Sequence, residues 1–75
     1  MLKIHVINTK TVGGLDAKIN ALDPSSTGDK IIGEINTPAG WRYAQWDEAG
    51  TCRDATDSAN LDKTDPKLAD VFIMI

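Results

Sequence analysis

Four groups of side chains in this sequence are of a kind that could do chemistry. They are a histidine at position 5, a cysteine beside an arginine at 52–53, and a train of oxygen ligands at Asp54, Asp57, Asn60, Asp62 and Asp65. The fourth is the stretch GWRYAQW, residues 40 to 46, which holds both tryptophans and the only tyrosine. An imidazole titrates near neutral pH and is the usual general base. His5, however, alternates with Leu2, Ile4 and Val6, the pattern of a strand histidine that faces solvent. Cys52 has a cation next to it, which favours the thiolate. A cysteine nucleophile also needs a histidine held against its sulfur, and His5 is the only one in the chain. The better reading of Cys52 is an inert thiol. No nucleophile elbow, metalloprotease helix or phosphate-binding glycine loop is present. No catalytic residue is assigned.

The oxygen ligands raise calcium. Their spacing lacks the alternate-residue carboxylates, the central glycine and the terminal glutamate of an EF-hand loop. Asp and Asn also form turns, and a solvated acidic loop is the simpler account. One Cys and one His fall short of a structural zinc site, which takes four ligands. No metal or cofactor is expected.

The aromatic stretch is different. Trp, Tyr and Arg dominate interface hot spots, because they bury much area at low entropic cost and keep a polar handle. In a chain with a single Phe, the same tryptophans could instead be the core. On a strand, Trp41 and Tyr43 point one way and Arg42, Ala44 and Trp46 the other, so the aromatics cannot all face inward. The candidate partner-binding residues are therefore Trp41, Arg42, Tyr43 and Trp46, with the adjoining Asp47 and Glu48. Aromatics interleaved with Arg42 also resemble a base-stacking strand. With a net charge of −3, the chain is poorly suited to neutralise phosphates, and direct nucleic-acid binding is disfavoured.

Seventy-five residues make a single small domain near the lower limit for folding on one hydrophobic core. With no disulfide or zinc to staple it, such a chain depends on packing or a partner subunit, and a homodimer is a reasonable expectation. No apolar run is long enough to span a membrane, and no secretory signal pattern opens the chain. A lone thiol fits a reducing compartment; a soluble, cytoplasmic protein is expected. Charge is uneven: residues 47–75 carry three basic and seven acidic side chains, a net −4. This acidic passage reads as a long surface excursion between strands.

The elements that must position these groups follow from period and turn chemistry. In LKIHVINTKTV, Leu2, Ile4 and Val6 face one way and Lys3, His5 and Thr9 the other; Ile7 breaks the alternation. Gly13-Gly14 suits a tight hairpin with positive φ at both residues. In residues 15–22, Leu15, Ala17, Ile19 and Ala21 share a strand face, while Leu15, Ile19 and Leu22 equally fit a helix; the turn chemistry favours the strand. DPSSTGD is a loop. KIIGEIN is a strand in which Gly33 signals a bulge or a close backbone approach. Asn36–Gly40 is a turn returning the chain into GWRYAQW. The alternative is a helix over residues 38–49, capped by Thr37. Asp65-Pro66 starts a helical turn, and VFIMI reads as a closing strand.

The expected fold is mainly β: an antiparallel sheet of two hairpins with a long acidic loop and room for one short helix. The alternative is α+β, with residues 15–22, 38–49 or both helical. A small acidic chain without catalytic groups resembles, in general character, the virus-encoded inhibitors of host machinery such as anti-CRISPR proteins. The expected function is a non-enzymatic protein-binding module acting by occlusion, as inhibitor or adaptor, on a basic or mixed patch of another protein, including a nucleic-acid-binding one. The alternatives are a structural subunit of a homo-oligomer or virion and a weak acidic mimic of nucleic acid.

Overall fold

Alternating β-branched residues, cut at intervals by Gly, Pro and Asp, build a meander in which each strand pairs with its sequence neighbour. The computed structural model describes residues 2–52 and 56–75. Its strands are β1 (Leu2–Lys10), β2 (Asp16–Leu22), β3 (Ile31–Thr37) and β4 (Gly40–Trp46), in one antiparallel sheet of that order. After β4 come 3₁₀ turns at Asp57–Ala59 and Pro66–Leu68 and a short helix, α1 (Ala69–Met74). The mainly β, antiparallel expectation holds, and residues 16–22 and 40–46 are strands, not helices.

One face of the sheet carries Ala17, Ile19, Leu22, Ile31, Ile35, Ala44 and Trp46, all buried against Cys52, Ala59, Leu61, Leu68 and Val71. The acidic passage is therefore more than a surface excursion. It follows the last strand and forms the second layer of the core. Backbone bonds tie it down: Val12 N donates to Asn60 O at 2.8 Å, Gly13 N to Ser58 O at 3.0 Å, and Leu61 N to Gly50 O at 2.9 Å. Total exposed area is 4558 Å², close to the roughly 4,500 Å² of a monomeric globular protein of this size. One chain closes its own core.

Several expectations change in detail. VFIMI is no strand: its first four residues complete α1 and Ile75 is the C-cap. Asp65 caps the turn before it, accepting from Lys67 N at 2.9 Å, with Pro66 in the first position. Leu68, Val71, Phe72 and Ile75 then follow a helical period, which sinks Leu68 and Val71 into the core. Each fully buried side chain of this kind contributes roughly 1.5–3 kcal/mol.

The break at Ile7 is real. The β1–β2 register shifts between Lys3 and Ile7, so Ile7 pairs with Ile19 and Thr9 with Ala17. Ile7 thus packs on the core and Thr9 is buried, while Val6 is exposed, the reverse of the simple alternation. A second shift, between Ile19 and Ala21, moves Ala21 off the face of Ile19 and brings Leu22 onto it opposite Ile31.

Of the two hairpin glycines, only Gly14 has a positive φ, at 84°. It closes the loop Val12-Gly13-Gly14, with Thr11 N donating to Leu15 O at 2.9 Å. Gly13 serves close approach instead: a Cβ there would lie 2.6 Å from the Cβ of Ser58. Gly33 does the same more severely, since its Cβ would fall 1.8 Å from the Lys18 carbonyl oxygen.

Candidate protein interface

Strand β4 forms because Gly40, at φ 106°, and Pro38 turn the chain sharply. Thr37 Oγ1 fastens that turn, donating to Gly40 O at 2.7 Å and accepting from Ala39 N at 3.2 Å. The register then runs unbroken from Thr37↔Gly40 to Ile31↔Trp46. Ile35↔Arg42, Gly33↔Ala44 and Ile31↔Trp46 share the core face, so Trp41, Tyr43 and Gln45 take the outer face.

Burial divides the aromatics accordingly. Trp41 is 42% and Tyr43 67% exposed, while Trp46 is fully buried. Trp46 was a candidate contact residue, and the structure removes it. Its indole Nε1 donates to Ala59 O at 2.9 Å, and its ring fills the core at the end of β4.

Arg42 lies on the core side but is exposed at the sheet's margin. Asp47 is half-buried and its Oδ1 accepts from Ala49 N and Thr51 N, both at 2.9 Å. That carboxylate shapes the turn after β4. Glu48 is exposed beside it. The outer face of β4 thus carries two exposed aromatics, with Arg42 near one end and Asp47 and Glu48 past the other.

A residue not foreseen as part of this surface is Lys18. Its Nζ sits 4.2 Å from the centroid of the Trp41 ring, a cation–π contact of roughly 0.5–1 kcal/mol at an exposed site. Lys18 pairs with Glu34, and Glu34 with Tyr43, so Lys18 reaches Trp41 diagonally across the sheet. The polar face of β2 was the signal for it, but strand order was needed to bring Lys18 to Trp41.

A cavity of about 300 Å³ lies beside β4. Core-side Arg42 and Ala44 line it together with outer-side Tyr43 and Gln45. Contributions from both faces of one strand mean that it opens along the strand's edge. Leu15, Ile35, Cys52 and Ala59 supply an apolar lining.

The other chemistry-bearing residues are dispersed. His5 is exposed on β1 and Cys52 is buried in the core. Among the oxygen ligands, Asn60 Oδ1 accepts from Cys52 N at 2.9 Å, Asp62 Oδ1 from Thr64 N at 3.0 Å, and Asp65 Oδ2 from Thr9 Oγ1 at 2.7 Å. Asp57 opens a 3₁₀ turn, and Asp54 lies outside the described residues. Asn60, Asp62 and Asp65 thus each spend a side-chain oxygen on local structure. Among the described residues, no three His, Cys, Asp or Glu side chains group as metal ligands would.

No helix among the described residues is long and apolar enough to cross a membrane. No protein-family model, curated protein or solved structure matches this chain.

Proposed function

We propose that this chain is a non-enzymatic protein-binding module, an inhibitor or adaptor that acts by covering part of another protein. Its working surface is the outer face and margin of β4: Trp41, Arg42 and Tyr43, with Glu48 at the rim and Asp47 holding the adjoining turn. The observation that carries this reading is the division of the aromatics. Of the three aromatics on β4 only Trp46 is buried in the core, while Trp41 and Tyr43 stand exposed on the same strand. Exposed aromatics beside an arginine match the composition of binding hot spots. A standard interface takes roughly 800 Å² from each partner, about a sixth of the 4558 Å² this chain exposes. The acidic balance favours a partner with a basic or mixed surface, nucleic-acid-binding proteins included.

The test is affinity capture from native host extract with the tagged chain and with a Trp41→Ala/Tyr43→Ala double variant, whose fold is checked by circular dichroism. The double variant should lose the partner. Recovery of the same partner at equal yield would reject this surface.

A second reading, a structural subunit of a homo-oligomer, draws on a different observation. Ile73 is 80% exposed and Met74 and Leu2 are each 51% exposed, apolar area that a neighbouring copy would cover.

A further inference from the structure

We infer that the outer edge of β4, which no strand among the described residues pairs with, takes an extended peptide segment of the partner as a fifth strand. A carboxylate of that segment meets Arg42, and an aliphatic side chain enters the cavity beside the strand. The inference rests on the protein-binding reading and specifies how the partner is held.

The two edges of the sheet are built differently. Edge strands expose unpaired N–H and C=O groups, and proteins blunt them with lysines, prolines or bulges. β1 has such protection: Lys3 and Lys10 lie on it, and its register shifts between Lys3 and Ile7. β4 has none. GWRYAQW contains no Lys and no Pro, and its register with β3 is unbroken. A regular edge without lysine, proline or register break is the template that strand addition uses, with main-chain bonds for affinity and alternate side-chain pockets for specificity.

The pocket is present. The cavity of about 300 Å³ opens on this edge, with Leu15, Ile35, Ala44, Cys52 and Ala59 lining it. Successive residues of an added strand alternate between its two faces, so one side chain enters the cavity while the next lies beside Tyr43. Arg42 supplies the charge preference. It lines the same cavity, and the one ion pair among the described residues is Lys10–Asp16, so its guanidinium is available for a bidentate carboxylate. Self-pairing does not provide that group: β4 contains no acidic residue, so a second copy adding through β4 brings Arg42 no strand carboxylate.

The test is selection of a displayed random heptapeptide library on the immobilised full-length chain. Enriched peptides should carry Asp or Glu with Val, Ile or Leu two residues away. A synthetic copy of the leading peptide should slow hydrogen exchange of β4 amides, and N-methylation of its backbone should weaken binding about tenfold or more. Arg42→Gln should weaken the acidic peptide about tenfold but leave its Gln-substituted form unchanged. Absence of enrichment, enrichment of basic peptides, or binding without protection of β4 overturns the inference. So does a doubled solution mass with β4 already protected, which would make the occupant a second copy. A host partner that depends on Trp41 and Tyr43 but leaves β4 exchange unaltered would keep the protein-binding module and reject strand addition alone.

Discussion

The indole N–H of Trp46 donates to the Ala59 carbonyl at 2.9 Å and spans thirteen residues, joining the end of β4 to the layer that covers the sheet. Trp46 sits on the core face opposite Ile31, so one side chain supplies both area and a hydrogen bond to a buried acceptor. Trp46→Phe keeps much of the area and strands the carbonyl, costing about 1–3 kcal/mol. Trp46→Ala should cost about 3–5 kcal/mol, comparable to the whole net stability of a chain this size, roughly 3–5 kcal/mol, and should leave it unfolded. Trp41→Ala forfeits a surface cation–π contact of about 0.5–1 kcal/mol. Urea titrations followed by far-ultraviolet circular dichroism separate these. A Trp41→Ala loss as large as that of Trp46→Ala would mean that the surface aromatic is a core residue, and the proposed interface would fail with it.

Gly33 faces Ile19 across β2–β3 and Ala44 across β3–β4. A Cβ at this position would meet the Lys18 carbonyl oxygen at 1.8 Å, a backbone atom of the neighbouring strand that no rotamer change can move. Gly33→Ala must therefore push β2 and β3 apart. The expected result is an unfolded chain or one weakened by at least about 3 kcal/mol, beyond ordinary overpacking. Gly14 is the control. It has a positive φ of 84° and open space around it, so Gly14→Ala carries only backbone strain of about 1–2 kcal/mol. Equal denaturation midpoints for the two variants would show that the strands can accommodate the added methyl.

Period and turn chemistry made β2, β3 and β4 legible because each has one buried face and a Gly or Pro turn at its boundary. The same alternation separated Trp41 and Tyr43 from Trp46, although it could not say which side was core. The register shifts in β1 and β2 were hidden because a bulge changes facing without changing composition; Ile7 out of step was its only trace. VFIMI misled because β-branched and aromatic residues fit a strand in isolation. The helical signal lay in its connection to what precedes it: Asp65-Pro66 as a start, then Leu68, Val71, Phe72 and Ile75. The covering layer was least visible of all. Gly50, Cys52, Ala59 and Leu61 are buried yet thinly scattered in a polar passage, and their burial depends on backbone bonds to distant β1 and its turn. The cavity could not be foreseen, since it needs both that layer and the edge of β4.

Asp65 links this layer to β1, and it gives stability a sign with pH. The Thr9 hydroxyl donates to its carboxylate at 2.7 Å and the Lys67 backbone N–H at 2.9 Å. First the Thr9 bond, then the Lys67 N–H, hold its pKa below the ordinary aspartate value, and the Lys67 charge adds to them against a partial offset from burial. A carboxyl group more acidic in the folded chain than in the unfolded one stabilises above its unfolded pKa, and that contribution vanishes as pH falls through the folded pKa. Asp65→Asn should therefore be less stable than the parent at neutral pH, with the gap closing as pH drops below about 4. Urea midpoints measured across that range check it. A gap that stays constant into acid would show that the carboxylate charge contributes nothing.

The exposed end of α1 decides between a lone binding module and a subunit of a larger assembly. Ile73 is 80% exposed on a helix whose Leu68–Val71 side is already in the core, and the chain closes that core without a neighbour. If the protein acts alone, light scattering at micromolar concentration should give the mass of one chain. Ile73→Lys should then shift stability by no more than about 0.5 kcal/mol, as surface substitutions do, and leave the mass unchanged. If the parent instead scatters as a dimer that Ile73→Lys dissociates, the helix is an interface between copies and the structural-subunit reading takes precedence. A dimer that survives Ile73→Lys but dissociates on Tyr43→Ala would place the contact on β4, competing directly with the surface assigned here to a foreign partner.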